Sequence, residues 1–228
     1  MIWFYIMFSM NKISGVHIKI IACLVMLIDH VGAILFPDAM ALRWIGRLAF
    51  PLFSWQFAVS WEMTSNRMKY TRNLLIFALV SQIPYVIAFG YLLDLNIFFL
   101  FVLGAGVLAL HQLFGSRKWL GWVLFALTGV LAFVLRVDYG FYGMMAIAIF
   151  YFLRGDLFNM LIGYATLSVL GMFYFQNDYQ WISLFSVVII AAYNKSVRSP
   201  KLNKWLFYGF YPVHILLLAA IRIAVRGV

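Results

Sequence analysis

A single cysteine, Cys23, occurs in 228 residues, so no internal disulfide and no thiolate metal site can form, and its apolar neighbours mark a buried, inert thiol. Acidic residues are also scarce. Seven Asp and Glu stand against seventeen Lys and Arg, a formal charge of +10. These basic residues sit between apolar runs instead of forming a stripe, which excludes a nucleic-acid surface. Also missing are a Gly-rich phosphate loop, metal-ligand spacing, an exposed serine elbow and an internal repeat. The stretch from Met1 to Phe8 lacks the basic region and cleavage site of a signal peptide. Met10-Asn11-Lys12 reads as an alternative start, with 1–12 a cytoplasmic or interfacial segment of a single domain, 1–228.

Apolar residues are abundant instead, at 66%, with charged ones at 11%. They come in runs long enough for a bilayer core of about 30 Å, and a soluble core of this size has no use for so much apolar surface. The pattern predicts an all-α polytopic transmembrane bundle. About nine spans are expected, eight to ten being possible, near 18–36, 42–62, 72–90, 95–113, 118–136, 139–154, 157–175, 180–194 and 203–225. Tight turns separate them, as at Pro37-Asp38, Ser65-Asn66, Gly115-Ser116, Gly155-Asp156 and Asn177-Asp178. Arg67, Lys69, Arg72, Arg117, Lys118, Arg154, Lys195, Arg198, Lys201 and Lys204 fall in every second connection, on the side of Lys12 and Lys19. Asp94, Asp138 and Asp178 mark the other side. By the positive-inside rule the N-terminus is cytoplasmic and, with nine spans, the C-terminus is outside; Arg222 and Arg226 are the exceptions.

The first span carries Lys19 and then, ten residues on, Asp29-His30. Ionisable side chains inside a membrane helix are costly and point to function. An eleven-residue step at about 100° per residue leaves Lys19 and His30 on one helix face, roughly 20° apart and ~16 Å apart along the axis. Asp29 points about 100° away from His30 and serves a different group. Arg43 and Arg47 share a face of the second span, and Arg47 is placed to reach Asp29. Glu62 is expected to pair with Arg67 or Lys69. Ser81, Gln82 and Tyr85 around Pro84, together with Asn96, are polar groups able to bond across helices or to a substrate. The last span holds Tyr211 and a second deep histidine, His214, beside Pro212. His17 and His111 read as interfacial anchors.

The segments IKIIACLVMLIDHVGAILFP, LRWIGRLAFPLF, NRMKYTRNLLIFALVSQIPY, LNIFF, DYGFYG and FYGFYPVHILLL, in that order along nearly the whole chain, resemble the TraX family of membrane acetyltransferases, named for the F-pilin acetylase. That family is similar to the larger acyltransferase-3 group, whose first helix carries a basic residue, ten residues and a histidine. The resemblance implies acetyl transfer from cytoplasmic acetyl-CoA to an amine or hydroxyl acceptor at the outer face. His30 would be the catalytic residue, with Asp29 beside it, and Lys19 the basic residue on the CoA side. Arg67, Lys69 and Arg72 suit the phosphates of CoA. No metal is implied. The acceptor would be a pilin N-terminus or an envelope glycan or lipid, and the location the bacterial inner membrane, multi-pass in its lipid. Two rival readings are a proton-coupled transporter using Asp29, His30 and Arg47, and a non-enzymatic envelope or pilus assembly protein. The absence of an inverted repeat weighs against the transporter.

Overall fold

A computed structural model describes residues 13–115 and 117–226; the segment 1–12 and Ser116 lie outside the described residues. Nine expected spans appear as an all-helical bundle, and the second and eighth are broken. Helix α1 is Gly15–Ile34, α2 Met40–Gly46, α3 Ala49–Met63, α4 Arg67–Phe89 and α5 Ile97–Leu113. Helices α6 (Lys118–Val134), α7 (Gly140–Phe152) and α8 (Leu157–Tyr174) follow. A 3-10 turn, Gln180–Leu184, leads into α9 (Phe185–Ala191), and α10 (Lys204–Arg226) is the last described helix. Four of these, α1, α4, α8 and α10, are long and apolar enough to cross a membrane alone.

The break in the second span has a local cause. Pro51 has no N–H for the Arg47 carbonyl, and its ring crowds that carbonyl. The helix therefore ends at Gly46 and restarts at Ala49, so Arg43 and Arg47 do not lie on one continuous helix. Polar residues mark other boundaries. Asn66, Asn96 and Asp156 accept hydrogen bonds from the amides of Lys69, Phe98 and Asn159 at 2.8, 3.0 and 3.1 Å, and left-handed Gly90 stops α4.

At the centre stands α7, apolar on every side and buried at eleven of its thirteen positions, contacting α3, α5, α6 and α8. At ~1.5 Å per residue it is only about 20 Å long. A helix shielded by neighbours needs no full lipid-spanning length. Helix α10 buries Tyr211, His214, Ile215 and Leu218, one stripe at helical spacing, against α4 and α1.

The two ends of the bundle are tied separately. At the basic end Ile13 bridges Tyr193; at the acidic end Leu95 bridges Val137, and Arg136 pairs with Asp94 at 2.6 Å. Arg222 donates to the carbonyls of Ala88 and Ile87 at 2.6 and 2.9 Å, and Arg226 to that of Leu35 at 2.5 Å. Both exceptions to the charge pattern thus cap the carbonyl ends of α4 and α1, where a cation is favoured.

Candidate active site

One cavity of about 760 Å³ runs from the basic end toward the acidic end, between α1, α3, α4, α5 and α10. Ser14, Lys19, Lys69, Lys195 and Lys204 line its basic mouth; Asp29, His30, Asp138, Tyr139 and Tyr211 line its deep end. Lys19 and His30 share it, as the helix spacing required. None of the four lysines is in an ion pair among the described residues, and the Lys19 ammonium lies 5.6 Å from the centre of the Phe207 ring.

The deep end is built from fixed parts. Asp29 pairs with Arg43 at 2.8 Å and with Arg47 at 3.8 Å. Arg43 also donates to the Asp29 carbonyl at 3.2 Å. Arg47 therefore reaches Asp29 as expected, but Arg43 is the nearer partner. Gly46 lets these helices meet: a Cβ there would sit 1.9 Å from Asp29 Oδ1.

The DYGFYG element supplies the floor. Arg136, Tyr139 and Gly140 all have positive φ, at 54°, 62° and 42°, and for the two non-glycine residues this costs about 1–2 kcal/mol each. Tyr139 stacks on Phe50, centroids 3.8 Å apart, and Asp138 donates its amide to the Leu95 carbonyl at 2.8 Å. Strain offset by packing holds the Asp138 carboxyl in the cavity. Burial pushes that carboxyl up to about 7, against the opposing pull of the Tyr139 amide and Arg47.

His30 meets the residue that sequence left furthest from it. Its Nδ1 lies 2.6 Å from Nε2 of His214. The ring centroids are 4.9 Å apart and the planes tilt by 7°, which is two rings end to end in one plane, with the contact along the ring lone pair. His214 Nδ1 lies 2.5 Å from the carbonyl oxygen of Phe210. Phe89 and Tyr211 present edges to His30 at 5.6 and 6.0 Å.

Several expected site residues lie elsewhere. Arg67 sits over Trp61, 5.5 Å from the ring centre, Arg72 is exposed, and neither lines the cavity; both lean outward from α4, whose inner face carries Lys69 and Asn73. Gln82 and Asn96 bond each other at 2.8 Å and the carbonyls of Asp94 and Ala78, both at 2.7 Å, so they pin α4 to α5 and are spent on structure. Ser81 and Tyr85 are buried away from the cavity. Glu62 pairs with Arg154 at 3.2 Å, not with Arg67 or Lys69, because α7 ends beside α3. His17 bonds Ser14 at 3.1 Å and His111 the Arg117 carbonyl at 3.1 Å, both as local anchors. Lys195 and Lys204, which no spacing rule singles out, join Lys19 and Lys69 at the mouth.

Fold and site define a helical membrane protein with a basic-to-acidic cavity between its helices and a histidine pair at depth. The chain belongs to the TraX family: the family model described as TraX protein matches residues 14–222. It is similar to the probable fimbrial assembly protein FimC, serogroup H1, of Dichelobacter nodosus, 25% identical over 236 residues, covering 92% of this chain and 96% of that one. No solved structure matches.

Proposed function

We propose that the protein is a membrane acetyltransferase that takes acetyl-CoA at the lysine mouth and transfers its acetyl group to an acceptor at the acidic end. The observation that carries this is the single cavity lined by Lys19, Lys69, Lys195 and Lys204 at one end and His30 at the other. Four unpaired cations suit the phosphates of CoA. Eleven residues of helix, ~16 Å, separate Lys19 from His30, a gap for a slender pantetheine arm. His30 accepts the proton of the attacking amine or hydroxyl as the acceptor's heteroatom bonds to the thioester carbon. The carbon–sulfur bond then breaks, and His30 returns the proton to the departing sulfur, giving acetylated acceptor and free CoA. Asp29, locked by Arg43 and Arg47, holds the pocket wall.

The basic end faces the cytoplasm and the chain lies in the inner membrane. A pilin-like protein is the acceptor that best fits the fimbrial name of the relative; an envelope glycan or lipid would enter by the same end.

The test is turnover of radiolabelled acetyl-CoA by detergent-purified protein with a pilin N-terminal peptide, a glycan or a lipid as acceptor. The expected result is acetylation by wild type and a loss of roughly 10²-fold or more in folded His30→Ala. No transfer to any of the three acceptors, or His30→Ala as active as wild type, overturns the reading and leaves a transporter or an assembly factor.

A further inference from the structure

The histidine pair fixes a proton without reference to any substrate. A backbone carbonyl can only accept, so His214 Nδ1, 2.5 Å from the Phe210 oxygen, carries a hydrogen. In the neutral ring Nε2 of His214 is then a bare lone pair. The 2.6 Å contact along that lone pair requires a donor, so His30 carries its hydrogen on Nδ1. Nε2 of His30 is left unprotonated. It has no hydrogen-bond partner among the described residues, and His30 lines the cavity while His214 does not.

We propose that His214 is the positioning residue of the reaction centre, holding His30 in the Nδ1–H tautomer so that Nε2 is the basic atom presented to the cavity. The reading of His30 as the acetyl-transfer base underlies this role, but the tautomer itself does not depend on it. When Nε2 takes the acceptor's proton, the Nδ1 hydrogen bond spreads the new charge onto His214, which leans on the Phe210 carbonyl. No further reactant is needed, because the same proton leaves on the sulfur. The site therefore has the layout of a base and its orienter, with a neutral imidazole where a carboxylate often stands. Asp29, the carboxylate next in sequence, is held by its arginines and takes no part in orienting His30.

The charged and titratable groups facing the pair are few. Tyr211 comes from α10; Asp29 and Arg43 lie on the flank of α1 and α2, paired with each other at 2.8 Å; α4 contributes the apolar Phe89.

The experiment is 15N-histidine NMR on the full chain in lipid nanodiscs, with His17→Gln and His111→Gln variants assigning the remaining two signals. Both His30 and His214 are expected as Nδ1–H tautomers, and His214→Phe should release His30 to a mixture. Kinetically, His214→Phe should lower kcat by roughly 10- to 100-fold with the KM for acetyl-CoA unchanged, and His214→Gln, whose amide oxygen can accept from Nδ1, should restore part of it. An Nε2–H tautomer at either histidine of the wild-type pair overturns the proposal, and this reading needs neither a folded variant of His30 or His214 nor an active enzyme. Correct tautomers without acetyl transfer would sink the acetyltransferase reading while leaving the pair intact.

Discussion

The two ends of the cavity are built on opposite principles. At the mouth, four lysines from α1, α4, the α9–α10 connection and α10 converge without ion-pair partners among the described residues. At the deep end Asp29 is held by two arginines, His30 by His214, and Asp138 by a loop with three positive-φ residues. Flexible single charges bind an anion that arrives with its own geometry, whereas reacting groups must be fixed before the substrate comes. On the proposed function, capture belongs to the loose end and chemistry to the rigid one.

That contrast breaks most sharply at Gly46. Gly46→Ala puts a methyl group where Asp29 Oδ1 now lies, 1.9 Å from the new carbon, so the carboxylate must leave one arginine or the helices must part. We expect kcat to fall at least tenfold, about 1.4 kcal/mol of transition-state stabilisation, and the melting temperature to drop. Gly106→Ala, with open space around its Cβ, is the control and should be silent. An active, stable Gly46→Ala would show that the Asp29 cluster is not rigid.

A smaller effect is expected at the mouth. Lys195→Ala and Lys204→Ala should each raise the KM for acetyl-CoA roughly threefold to tenfold with little change in kcat, an effect that fades at high salt. Arg67→Ala and Arg72→Ala, outside the cavity, should leave the KM as it is. The reverse ranking would assign CoA recognition to Arg67 and Arg72 in the first turns of α4.

The smallest concerns the floor. Asp138 is raised from 3.8 to about 7 by burial, so its protonated form is the one the fold prefers. The associated stability is fully present below about pH 4 and is lost as pH rises through 7. Melting curves between those limits should show wild type losing stability relative to Asp138→Asn. Parallel curves would mean that the carboxyl is ionised without cost.

Much of this was legible in the chain because it depends on local periodicity. Seven of the nine apolar runs became single helices and the other two became broken ones, and Lys19 and His30 share the cavity because 11 residues nearly close three turns. The break at Leu48 follows from Pro51, which the expectation of one span over 42–62 overlooks, and Asn96, expected among the pocket residues, caps α5 instead. What stayed hidden is long-range. Lys195 and Lys204 look like any loop cation until α9 and α10 bring them beside Lys19, and Arg67 and Arg72 differ from Lys69 only in the direction they face. The partner of His30 is 184 residues away, a separation no spacing rule reaches.

That separation also orders events during synthesis. The proposed base sits in α1, the earliest of the described helices to be made, and its proposed orienter in α10, the latest of them, which docks against α1 and α4 through Arg226 and Arg222. A nascent chain made as far as α9 already holds Lys19, Lys69, the acidic floor and His30, yet lacks the ring that lies 2.6 Å from His30. On the proposed role of His214, full activity therefore follows the docking of α10, so that the packing of this late helix and the completion of the reaction centre are one event.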